Sequence, residues 1–216
     1  MFDVGPGLVL RRYRVARAAG ATEREVAVMR HLARHGYPVP LVHDVDGDDI
    51  VMERLHGTTM LSELESRPWR VHRVADLLAD LHVRLAAVDV GDLAAQLPAR
   101  FGAPESILHL DFHPDNVMLT ASGPVVFDWT NTALGPAAAD VAQTWVIAAT
   151  SSNDASGLTR LAVGAIRNRF VRRYVDRCGR PAATALLPDV GAARLLDPNV
   201  RPEEAGRIRA LIASGT

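Results

Sequence analysis

The sequence predicts an α+β fold in two parts. A small lobe of strands and one helix occupies residues 1–55, and a larger, mainly helical lobe with a β-hairpin at its centre occupies residues 56–216. Three observations carry this reading. Short β-type runs flank a single helical run before residue 55. A helical period then dominates, over 70–87, 137–149 and 158–177. Between the first and second of those helices, two β-type segments close around Ser122-Gly123.

Taken in order, residues 8–13 (LVLRRY) read as a strand, a Leu- and Val-rich run ending in basic residues. Thr22 opens a helix. Thr22-Glu23-Arg24-Glu25 has the form of a capping box, and Val26, Met29, Leu32 and Ala33 make one apolar stripe behind it. Gly36 ends that helix, and Pro38 and Pro40 forbid its continuation. Two strands follow, near 41–45 and 49–53, with Asp46-Gly47-Asp48 as their turn. After Leu55-His56-Gly57 the pattern changes. Val74, Leu77, Leu78, Leu81 and Leu85 share one face of a helix over 70–87. VMLT and VVFDW form the central hairpin, and residues 137–149 are helical. Residues 158–177 are an Arg-rich amphipathic helix with Leu161, Ile166, Phe170 and Tyr174 among its apolar positions. A last helix starts near Pro202, whose fixed φ suits a first helical position.

Composition narrows the function classes. The chain has 216 residues, 48% apolar and 23% charged, the make-up of an ordinary globular protein with a sizeable core. A formal net charge of −1 gives no reason to expect nucleic acid as a partner. The single cysteine, Cys178, excludes an intrachain disulfide framework and points to a reducing, cytoplasmic setting. The stretch MFDVGPGLVLRRYR is no secretory signal, because its apolar part is too short and the arginines follow it. The longest apolar passage, around TWVIAAT, is far short of a membrane span, so no membrane partner is expected. The chain contains no lysine; all 24 basic residues are arginine. Chemistry that ordinarily uses Lys must here use Arg or do without.

The densest chemistry lies in HLDFHPDN, residues 109–116. One reading is a metal hydrolase. His109, Asp111 and His113 alternate, so on a strand they would point one way, and imidazole with carboxylate suits zinc or iron. Against it, Pro114 ends any strand there, and the histidines at 31, 35, 43, 56, 72 and 82 show no paired spacing. The other reading is phosphoryl transfer, which needs a carboxylate near the acceptor hydroxyl and oxygen ligands on magnesium. In the protein-kinase pattern an Asn follows the Asp by five residues. Asp111 and Asn116 have that spacing, and Asp128 stands at the end of the next hairpin, where a second metal-binding Asp belongs.

The run HLDFHPDNVML…GPVVFDWTNTALGPAAADVA resembles the aminoglycoside phosphotransferase and choline kinase-like family, with its His-Gly-Asp-x-x-x-x-Asn, Ile-Asp-Trp/Phe and Gly-Asp-Pro-x-x-Asp-Leu-Ala motifs. Val51-Met-Glu-Arg-Leu-His-Gly57 resembles that family's inter-lobe hinge, and Gly36-Tyr-Pro-Val-Pro40 and Leu77-Leu-Ala-Asp-Leu-His82 match lesser signatures. The resemblance covers most of the chain. It implies a protein-kinase-like fold, a cytoplasmic small-molecule kinase using ATP (or GTP) and Mg²⁺, and a hydroxyl-bearing substrate. It further implies that Asp111 is the catalytic carboxylate, that Asn116 and Asp128 hold magnesium, and that His109 and Asp140 support the loop. Arg11 would take the place of the phosphate-binding lysine with Glu25 as its partner, and Glu53 and Leu55 would meet adenine at the hinge.

Some features depart from that pattern. The family begins with two strands and a Gly-containing loop over the phosphates, whereas Gly5-Pro6-Gly7 is too short to be that loop, so the first hairpin is expected to be missing or shortened beyond recognition. The small sheet would then expose an edge that a homodimer could cover. A pseudokinase-like binding or regulatory protein is therefore the alternative function. Residues 151–216 carry 11 Arg against 6 acids, which leans away from polycationic aminoglycosides and toward a neutral or anionic alcohol. Glu25 is equally explained as the acid of the capping box alone.

Overall fold

The computed structural model describes residues 1–13, 17–151 and 157–214. An N-terminal antiparallel sheet is built from β1 (Phe2–Gly5), β2 (Leu8–Arg12), β3 (Val42–Asp46) and β4 (Asp49–Glu53), in the order β1-β2-β4-β3. Ile50 and Met52, alternate residues of β4, are buried against helix α1 (Ala21–Arg34), which turns Val26, Val28, Met29 and Leu32 inward. Gly36, at φ 70°, closes the helix in the left-handed conformation that a glycine adopts without strain.

Two expectations are sharpened here. Complete absence of the first hairpin does not hold: β1 pairs with β2 from Phe2↔Leu10 to Gly5↔Leu8, so the hairpin is present in shortened form. Its turn lies beside Arg54, whose N–H donates to the Gly7 carbonyl (2.8 Å) and whose guanidinium binds Asp3 (2.6 Å). Among the described strands of this sheet the edges are β1 and β3, and on β1 the side chains of Phe2 and Val4 are exposed. The capping box does not form either. Gly20 is the N-cap, the Thr22 hydroxyl donates to Asp48 (2.8 Å), and Glu25 points to a cluster of cations instead. A buried carboxylate facing two guanidinium groups gains more than one bonded to a single N–H at a helix end.

The second part begins with β5 (Gly57–Thr59), then α2 (Met60–Ser66) and α3 (Val71–Ala86). Strands β6 (Ser106–Leu108), β7 (Val117–Thr120), β8 (Gly123–Val126) and β9 (Ala133–Gly135) follow. The chain ends in four helices, α4 (Ala137–Thr150), α5 (Gly157–Cys178), α6 (Arg180–Arg194) and α7 (Pro202–Ser214). β7 and β8 form the expected hairpin, joined by β5 on its other edge, while β6 pairs with β9. Gly57 permits the β5–β7 pairing, since a Cβ there would lie 2.0 Å from the Leu119 carbonyl oxygen, and Gly135 lets the segment at Arg100 pass close to β9, since a Cβ there would lie 2.3 Å from the Arg100 carbonyl oxygen. The three-residue strands and α6 carry too little local pattern to be read from sequence. α6 in particular runs through Pro188, a residue that ordinarily ends a helix.

α4 is buried on most sides and packs against α5, α6 and α7, and α3 lies along α5. Among the described residues, no helix is long and apolar enough to cross a membrane. The Arg-rich C-terminal region is extensively paired. Arg173 and Arg177 bind Asp76 and Asp80 of α3, Arg180 binds Asp176, and Arg194 binds Asp197 and Glu204.

Candidate active site

The loop after β6 is held from beneath. Leu110 sits at φ 60°, a left-handed conformation costing a β-carbon-bearing residue about 1–2 kcal/mol. Asp140, in the first turn of α4, offsets that cost: its Oδ1 accepts the Leu110 N–H (2.7 Å) and its Oδ2 the His109 N–H (2.9 Å). Asp140 is buried, with His82 Nε2 3.1 Å from Oδ2, though not aligned for a hydrogen bond. Burial pushes its carboxyl pKa up, but His82, His109 and the two backbone donors more than reverse this, and the net direction is down. Tyr174 of α5 hydrogen-bonds the other nitrogen of His82, linking α5 to the same acid.

His109 has no nitrogen left for a metal. Its ring is fully buried between Phe112 and Trp129. Nε2 meets the Phe127 carbonyl (3.1 Å), which makes it the donor, and Nδ1 accepts the Asp111 N–H (3.2 Å). Burial lowers its pKa, so the neutral ring is favoured. Among the described residues no three His, Cys, Asp or Glu side chains cluster as a metal set. The zinc or iron reading of the two histidines loses its support.

Asp111 and Asn116 are joined. Asn116 Nδ2 donates to the Asp111 carbonyl (2.9 Å) and to its carboxylate Oδ2 (3.1 Å). Because both partners are acceptors, the amide is oriented with its nitrogen inward, and Oδ1 is left as the oxygen available to a ligand. His113 Nε2 stands 3.4 Å from the other Asp111 oxygen. Burial raises the Asp111 carboxyl pKa, while His113 and His109 lower it, and the net direction is down. Thr144 of α4 fixes the same loop by donating to the Phe112 carbonyl (2.8 Å).

The β7–β8 hairpin brings Asp128 alongside. The Phe127 N–H donates to the Asn116 carbonyl (3.0 Å), so Asn116 and Asp128 stand at the open end of one ladder. Asp128 is itself left-handed, at φ 66° and ψ 64°. Its side chain is 40% exposed, and its Oδ1 accepts from Arg11 Nη2 (2.8 Å) and from the Thr130 hydroxyl. Arg11 Nη1 meanwhile binds Glu25 Oε1 (2.8 Å). Glu25 is 1% exposed and takes a further bond from Arg17 (2.8 Å) and one from the Tyr13 hydroxyl. Burial and the bond to Glu25 push the Tyr13 hydroxyl up to about 12. Burial raises the pKa of Asp128, but Arg11 and Thr130 draw it down further.

The structure therefore assembles Arg11, Glu25 and Asp128 into one chain of contacts, and Asp111 with Asn116 into another. Asp140 and His109 lie directly beneath. Glu53 and Leu55 stand apart from both groups, making no hydrogen bond or ion pair to either among the described residues. The Glu53 N–H is bonded to the Leu41 carbonyl (2.8 Å), and Leu55 follows in the loop leaving β4. The sequence reading missed Tyr13, Arg17, Thr130 and Tyr174. Only Thr130 had a local signal, a hydroxyl two residues beyond an Asp.

The family model described as the phosphotransferase enzyme family matches residues 3–93 and 84–187. No curated protein sequence matches the chain. Among solved structures, it is similar to a thermostable mutant of an aminoglycoside phosphotransferase in ternary complex with AMP-PNP and hygromycin B. There the identity is 19% and the TM-score 0.60, covering 91% of this chain and 83% of that one. It is also similar to a choline/ethanolamine kinase family protein from Mesorhizobium loti, at 15% identity and TM-score 0.53, covering 95% and 82%. A macrolide 2'-phosphotransferase from Brachybacterium faecium matches at 18% identity and TM-score 0.51, covering 94% and 84%. At these identities the likeness is one of fold.

Proposed function

The chain belongs to the phosphotransferase enzyme family, and on that premise we propose that it transfers the γ-phosphate of ATP, with Mg²⁺, to a hydroxyl group of a small molecule. The observation that carries this reading is the joined pair Asp111–Asn116 beside Asp128 and its Arg11–Glu25 contact. The donor set suits magnesium, a hard cation that prefers carboxylate and amide oxygens. Asn116 Oδ1 and the partly exposed Asp128 carboxylate are the groups that would hold it. Bound there, the cation would neutralise charge on the transferred phosphoryl group.

The chain's own residues account for the rest. Asp111, ionised at neutral pH, orients the acceptor hydroxyl and takes its proton as the new P–O bond forms and the bond from the γ-phosphorus to the bridging oxygen breaks, releasing ADP. The Asn116 amide and His113 hold that carboxylate in place. Arg11 supplies the cation that a lysine usually supplies, and Glu25, clamped by Arg17 and Tyr13, steers it. Adenine would meet the backbone of Glu53 and Leu55. The work is positioning and charge neutralisation, with no covalent enzyme intermediate required. The open edge of β1, with Phe2 and Val4 exposed, is the surface a second copy would cover.

Thermal unfolding in the presence of nucleotide tests the proposal. AMP-PNP with Mg²⁺ at 100 times its Kd should stabilise the protein by about 2.7 kcal/mol, which raises Tm by several degrees at this chain length. AMP-PNP without the metal should do less. An unchanged Tm at millimolar AMP-PNP and Mg²⁺ would overturn the reading and favour a binding protein that has lost nucleotide affinity. The acceptor can then be sought by phosphate transfer to a panel of aminoglycosides, macrolides, choline and ethanolamine.

A further inference from the structure

Resting on the metal and nucleotide roles just given, we propose that Arg11 makes metal and nucleotide binding interdependent. In the free protein its guanidinium occupies Asp128 in place of a divalent cation, and it releases that carboxylate only when nucleotide phosphates offer it another anion.

The argument starts from the fork. Arg11 places Nη1 on Glu25 and Nη2 on Asp128, both at 2.8 Å, and Nη2 also lies 3.1 Å from the Thr130 hydroxyl. A lysine, a single point of charge, could not span two carboxylates through parallel, planar donors in this way. Asp128 Oδ1 is thereby engaged twice, by Arg11 and by Thr130. A divalent cation approaching this carboxylate would meet a guanidinium already within hydrogen-bond distance of it.

Charge balance points the same way. Arg11 and Arg17 offset Glu25 and Asp128, which leaves the neighbouring Asp111 as a carboxylate without an arginine partner. A bare divalent cation would add two positive charges against that single negative one, and repulsion from Arg11 would be little screened there. A nucleotide changes the balance, because its phosphates bring negative charge both to the metal and to Arg11. The arginine need not travel far or freely. Its Nη1 bond to Glu25 acts as a tether, and Glu25 is itself fixed by Arg17 (side chain 9% exposed) and Tyr13 through Oε2. Removing the arginine should therefore strengthen metal binding in the absence of nucleotide, the opposite of what loss of a general positive residue does to a nucleotide site.

Mn²⁺ is a suitable probe, because free and bound ions are distinguished by electron paramagnetic resonance without any turnover. The wild type should bind Mn²⁺ weakly alone and on the order of tenfold or more tightly with AMP-PNP present. In Arg11→Gln, Mn²⁺ alone should bind on the order of tenfold more tightly than to the wild type, and the gain from adding AMP-PNP should shrink. Arg11→Lys, which keeps the charge but not the fork, should lie between the two and serves if the Gln variant folds poorly by circular dichroism. Equal or weaker Mn²⁺ binding by folded variants overturns the role of Arg11. So does a wild type that binds Mn²⁺ equally well with and without AMP-PNP. Absence of Mn²⁺ binding to the wild type even with AMP-PNP instead removes the metal site itself, and the phosphotransferase reading with it.

Discussion

Asp111→Asn is expected to lower kcat by about 10²–10⁴-fold, the range for loss of a positioned general base. The nucleotide KM should change little, because the role proposed for Asp111 is at the acceptor hydroxyl rather than at the phosphates. The fold should survive. An asparagine oxygen can still accept the Asn116 Nδ2 bond now made at 3.1 Å, and the backbone bond from Asn116 at 2.9 Å is untouched. Single-turnover transfer with the acceptor found in the panel, alongside a melting curve, would check both halves. A variant that keeps wild-type kcat would mean that Asp111 is not the proton acceptor. The free enzyme adds a condition on pH. The net downward direction of the Asp111 pKa keeps the carboxylate ionised throughout the neutral range, so any fall in rate between pH 8 and 6 must come from another group.

Asp140→Ala should cost about 3–5 kcal/mol, the range for breaking a buried charged pair by removing one partner. Two buried backbone donors, the His109 and Leu110 N–H groups, lose their acceptor together, and His82 loses the charge it faces. At this chain length the fall in Tm is about 10 °C. The strained Leu110 loses its restraints at the same time, so activity should drop even where the variant remains folded. Acid sensitivity reports on the same residue. The carboxyl pKa is lower folded than unfolded, so its contribution is fully present above the unfolded carboxylate value. It is lost as pH falls from about 4 toward the folded value. Urea midpoints of the wild type should therefore fall steeply below about pH 4, and those of Asp140→Asn less so. Parallel pH curves for the two proteins would show that Asp140 does not carry this dependence.

These two acids were unequally legible in the sequence. Asp111, Asn116 and Asp128 stand out because a five-residue spacing and a hairpin turn are local features, and a short loop can satisfy them only in a few ways. Asp140 is visible as an acid at a helix start, but its grip on two N–H groups 30 and 31 residues away is not. Glu25 is ambiguous for the same reason. Within its own helix it reads as the acid of a capping box, while its partner Arg11, implied by the family resemblance, and Arg17, which was not, reach it across the fold. Whether the N-terminal hairpin was lost or only shortened could not be read, because a four-residue strand that is largely exposed shows no burial pattern.

By itself the sequence determined the long helices other than α6, the central hairpin, the acid and amide spacing of the 109–116 loop, and the absence of any lysine. Hydrophobic period and turn chemistry repeat every few residues, and each of these features is written in such local pattern. Only the tertiary structure decided what the charged groups do. Arg11 meets Asp128 across 117 residues of chain, His109 spends both its nitrogens inside the core, and the C-terminal arginines find acids on α3. A charge takes its meaning from the nearest opposite charge and from the water removed around it, and both are properties of the folded chain.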